Sequence, residues 1–224
     1  MKRLLYAATA LCAIGLATPA SAALVASFSE NPSAGPTVTA TDNGTVTNIA
    51  VNSVSTQITA GNGSILGSHL FSLAAHSVSA ATQLGTQIIQ LYAGTFCFTS
   101  AAGCTGTNFL SGTFTDATFG AAGGPGLTLN VNSPPDTLTL TSGVIPANLL
   151  ASPSTFGLTF ANLSPGLHID GATIGAFTAD FSGTVSASTA TVVEPASLAI
   201  LGAGLVGLGL TRRKRRDSFA GCAA

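Results

Sequence analysis

Three histidines, four cysteines and eight carboxylates are the groups in this 224-residue chain with which a metal could be held or a proton moved. His69, His76 and His168 belong to no His-Glu-x-x-His motif. The spacing of seven between His69 and His76 aligns the two only on a helix, and a short helix is expected over Leu73–Leu84. No serine sits in Gly-x-Ser-x-Gly, so the hydrolase elbow is missing. Between Leu4 and Thr211 there is no Lys or Arg, which removes lysine Schiff-base chemistry and any cationic clamp for phosphate or carboxylate. Glu30, Asp42, Asp116, Asp136, Asp170 and Asp180 are scattered singly. Two of them brought together by the fold could flank a glycosidic bond, so a secreted glycosidase or carbohydrate-binding module is the alternative reading. Asp42-Asn43-Gly44 and Asp170-Gly171 offer oxygen ligands without the EF-hand pattern, and turn formation accounts for both. No catalytic residue, metal site or cofactor is assigned, and the expected protein is not an enzyme.

Cys97 and Cys104 have six residues between them, next to the strand-like Thr95-Phe96-Cys97-Phe98. Without a neighbouring His they make a poor metal set. In an exported protein they read as a disulfide that pins a hairpin.

The elements around these groups divide sharply by charge. All seven basic residues lie at the ends: Lys2 and Arg3, then Arg212, Arg213, Lys214, Arg215 and Arg216. The acidic middle has no cations with which to displace counterions from a phosphate backbone, so nucleic acid is excluded as its partner. Charged residues make up 7 % of the chain, against roughly 25 % in ordinary soluble domains, which argues against an average cytosolic enzyme.

Residues 1–22 read as a signal peptide: Lys2 and Arg3, an apolar run from Leu4 to Ala17, then small residues at Ala20 and Ala22. Cleavage is expected between Ala22 and Ala23 by the signal peptidase of the export machinery. Ala196 to Thr211 carries no charge and ends at the basic cluster. As a helix these residues extend ~24 Å against a ~30 Å hydrocarbon core, a thin single span, with Arg212–Arg216 held on the cytoplasmic side. Gly202-Ala203-Gly204-Leu205-Val206-Gly207 satisfies the dinucleotide fingerprint, but the carboxylate required about 20 residues later has no room. The small residues there suit close packing against another membrane helix.

Val193-Glu194-Pro195-Ala196-Ser197, the apolar helix and the basic stop together resemble the PEP-CTERM sorting signal of Gram-negative bacteria, over about residues 192–216. Glu194, Pro195, Ala196 and Ser197 match the motif, and Val193 stands where the family has its first proline. The resemblance implies an inner-membrane exosortase as partner, processing near the motif, and release to the cell surface or extracellular polysaccharide. Residues 217–224 form a short tail without an assigned role.

Between the ends, period two dominates. Phe177, Ala179, Phe181 and Val185 alternate with Thr178, Asp180, Ser182 and Thr184. Leu127–Val131, Leu138–Thr141, Phe156–Phe160, Val46–Val51, Val54–Ala60 and Thr86–Tyr92 read the same way, and Gly, Pro, Asn and Asp clusters separate them. The expectation for residues 23–185 is an all-β domain, an antiparallel β-sandwich or jelly-roll-like fold. Residues 186–192 are expected to be a Ser/Thr linker to the 193–216 sorting segment. The sequence thus describes an exported surface or matrix protein, structural or adhesive and associated with extracellular polysaccharide.

Overall fold

The computed structural model describes residues 22–31, 35–120 and 127–189. Alternating apolar and Ser/Thr positions become strands throughout: β1 (Ala22–Glu30), β2 (Val38–Asp42), β3 (Thr47–Gly61), β4 (Gly67–Ser77), β5 (Thr82–Leu84), β6 (Gln87–Ala101), β7 (Thr105–Gly120), β8 (Leu127–Ser133), β9 (Thr137–Thr141), β10 (Ala151–Ser164), β11 (Ile169–Asp170), β12 (Thr173–Ile174) and β13 (Phe177–Ser188). Every pairing is antiparallel, so the domain is all-β as expected.

The principal ladder runs β6-β4-β3-β1-β13-β10-β8-β7 and returns to β6, so its main strands leave no free edge. Ring contacts across the interior show which strands face each other. Phe71 of β4 meets Phe181 of β13 at 5.0 Å between centroids, and Phe96 of β6 stacks on Phe156 of β10 at 4.1 Å. Phe119 of β7 touches Phe160 of β10 and Phe177 of β13. The filling is therefore aromatic, with rings from facing strands packed on one another.

Three places in the ladder are shared by two strands in succession. β1 and then β2 lie between β3 and β13. β4 and β5 both line β6, and β8 and β9 both line β7. β3 is one strand where the sequence suggested two, with an irregularity between Val51 and Val54 and Ser53 in the left-handed region at φ 53°.

Two expectations are corrected. The helix over Leu73–Leu84 is instead the end of β4, a short connection and β5. Phe71, Leu73, Ala75 and Ser77 all point inward, a two-residue repeat that long-range pairing with β3 and β6 selects over a helix. The linker begins later than residue 186: Ser186, Ala187 and Ser188 belong to β13, paired with β1 and β10, and Ala187 and Ser188 are buried. Small residues fit there because neighbouring strands lie on both sides.

Candidate functional site

Glu30 ends β1, and Phe181 lies on β13 between the residues that pair with β1 and those that pair with β2. Glu30 Oε1 accepts the Phe181 N–H at 3.2 Å, and its Oε2 accepts the Thr37 hydroxyl. Asp180, beside Phe181, accepts the Asn162 amide at 2.5 Å. Burial raises the Glu30 carboxyl above the ordinary glutamate range, and the Asp180 carboxylate adds to the rise, against the lowering hydrogen bonds from Thr37 and Phe181. Two neighbouring carboxylates thus share the seam without a cation, while their oxygens cap backbone and side-chain donors.

A second polar group is buried under the β11–β12 hairpin. The Tyr92 hydroxyl donates to Gln90 Oε1 at 3.0 Å, which also accepts the Ile174 N–H at 3.2 Å. Thr47 Oγ1 donates to the Ile174 carbonyl, and Thr173 Oγ1 to Asp42. Burial pushes the Tyr92 phenol upward, and Asp42 acts in the same direction. These groups satisfy one another and fasten the hairpin onto the body.

The third feature opens to the surface. A groove of about 350 Å³ crosses β3, β4 and β6 and is walled by the start of β7, with Ser55, Ser68, His69, Thr99, Ser100 and Phe109 in its lining. Ser55 pairs with Leu70, and Leu70 with Thr99, so three adjacent strands supply the floor. His69 Nε2 lies 2.9 Å from the Ile65 carbonyl, and the His69 ring packs on Phe109 at 4.0 Å between centroids. Among the described aromatic residues, Phe109 alone is not buried.

No family model, curated protein or solved structure matches this chain. Its chemistry is therefore read from these residues alone.

Cys97 and Cys104 form the disulfide expected for them, with 5.8 Å between Cα atoms. It closes the tip of the β6–β7 hairpin, where Ala101 pairs with Thr105. The tip is also held by Gly103 N–H donating to Ser53 Oγ at 2.9 Å and Thr107 N–H to Ser100 Oγ at 2.8 Å. Ala22 and Ala23, the expected cleavage pair, open β1 opposite Ser188 and Ala187. Glu194, Pro195, Ala196 and Ser197, the apolar residues 196–211 expected to span a membrane, and Arg212, Arg213, Lys214, Arg215 and Arg216 lie outside the described residues. Among the described residues no helix is long and apolar enough to cross a membrane.

His69 and His76 do not align, because β4 is a strand and an odd spacing sends them to opposite faces. His168 packs its ring over Gly175 and directs Nδ1 to the Gly166 carbonyl at 3.0 Å. Among the described residues no three of His, Cys, Asp and Glu gather in a metal-holding group. Sequence reasoning did not bring Glu30 to Asp180 or Phe109 to His69. The only signal was compositional: Phe109 is a large apolar residue on a strand otherwise lined near its start by Thr, Gly and Asn.

Proposed function

We propose that the chain is an exported cell-surface or matrix protein, delivered by a PEP-CTERM-like tail, whose sandwich-like domain serves a structural or adhesive role beside extracellular polysaccharide. The observation that carries this reading is the sequence at the two ends: Lys2 and Arg3 before an apolar run and small residues at Ala20 and Ala22, and Glu194-Pro195 before an uncharged run that Arg212–Arg216 close. The Cys97–Cys104 disulfide supports the same reading, since such bonds persist in oxidising compartments. So does a body without Lys or Arg between Leu4 and Thr211, whose only basic stop is Arg212–Arg216.

The glycosidase alternative gains little from Glu30 and Asp180. Both Glu30 oxygens and one Asp180 oxygen already accept hydrogen bonds that close the seam. The sorting reading is tested by deleting Arg212–Arg216 and fractionating the native host. Retention of the variant in the membrane or its loss from the surface is expected; unchanged surface delivery overturns the proposal.

A further inference from the structure

We infer that the groove over His69 binds a neutral, polyhydroxylated ring, a sugar residue of an uncharged polysaccharide. The inference deepens the surface reading by naming the ligand class, and it rests on that reading only for where the domain meets such a polymer. At about 350 Å³ the groove falls at the small end of ligand-binding pockets.

The lining fixes the chemistry. The Ile65 carbonyl can only accept, so His69 Nε2 carries the hydrogen, and in the neutral imidazole Nδ1 is left as an acceptor. Ring packing on Phe109 holds that orientation. Ser68 Oγ donates to Gln57 Oε1 at 2.6 Å and so retains lone pairs, while the buried Thr99 spends its Oγ1 on the Ala101 carbonyl at 2.8 Å and belongs to the floor. Ser100 Oγ is an acceptor for Thr107 N–H, which leaves its own O–H to donate. Ser55 is exposed, and its hydroxyl makes no hydrogen bond to the described residues.

The groove therefore offers both donors and acceptors beside one aromatic residue, which suits a ring bearing several hydroxyls because each hydroxyl both gives and takes. No charged side chain lines the groove, so a phosphate or a carboxylate would enter without a counter-ion. Three adjacent paired strands hold the floor rigid.

The test uses the mature protein purified from its host, run through gels containing dextran, mannan or soluble starch, with alginate as an anionic control. Ser55→Trp fills the groove from an exposed position, and His69→Ala removes the acceptor. Thermal unfolding verifies that each variant is folded. The expected result is retardation by at least one neutral polymer and not by alginate. Ser55→Trp should abolish it at unchanged melting temperature, and His69→Ala should weaken it about tenfold, the loss of one hydrogen bond. Three results each overturn the inference: no retardation by any neutral polymer, equal retardation by alginate, or retardation that Ser55→Trp leaves intact. None of these alters surface delivery, so failure here stays distinct from failure of the sorting proposal.

Discussion

Reducing the Cys97–Cys104 bond perturbs this domain without changing a side chain's volume. The cysteines are separated by 7 positions, so the bond closes a loop of about eight residues. The chain-entropy relation gives about 8 cal/mol/K for such a loop, or about 2.5 kcal/mol at 25 °C. In the folded protein the tip keeps its other ties, Gly103 to Ser53 at 2.9 Å and Thr107 to Ser100 at 2.8 Å, so reduction acts mainly by freeing the unfolded chain. For a domain of this size 1 kcal/mol corresponds to roughly 2–4 °C, so the melting temperature should fall by about 5–10 °C. The assay is thermal unfolding with and without a phosphine reductant, with the thiol count verified by mass. A fall below about 1 °C would refute the loop argument. A fall above about 20 °C would show instead that the bond holds the native tip.

Three further outcomes follow from the packing and the seam. Gly183→Ala places a methyl 2.5 Å from Phe28 Cζ and 2.6 Å from the Gly157 carbonyl, and should cost about 1–3 kcal/mol in urea unfolding, whereas Gly63→Ala, with nothing within 4 Å, should leave the midpoint unchanged. Phe156→Ala removes the ring stacked on Phe96 and should cost about 3–5 kcal/mol by the same measurement. The raised Glu30 carboxyl binds more proton folded than unfolded, so its contribution is complete below the ordinary glutamate range and is lost as pH rises through the raised value. Glu30→Gln, whose amide can accept from Phe181 and donate to Asp180, should flatten that decline without lowering stability at pH 7; an unchanged pH profile of melting temperature would count against the seam.

Legibility in the sequence followed the range of the interaction. Phe177 to Val185 alternates strictly and is a strand with that face buried, because the pattern requires only one core on one side. Residues 73–84 misled because Leu, Ala and Ser occur on both candidate faces, and pairing with β3 and β6 decided between them. The expected linker misled for a related reason: Ser186 to Ser188 carry no large apolar residue, yet neighbouring strands bury two of them. The cysteine pair was legible because its partners are close in sequence. Glu30 and Asp180 are far apart along the chain, as are His69 and the β6–β7 hairpin in their contacts, and only the closed ladder brings them together.

The most direct measurement is the intact mass of the protein recovered from the surface fraction of its native host. The account predicts a species that begins at Ala23, ends near Glu194 and lacks two hydrogens for the disulfide. A 22.0 kDa full-length chain, dissolved in the cytosol with both ends present, would contradict it.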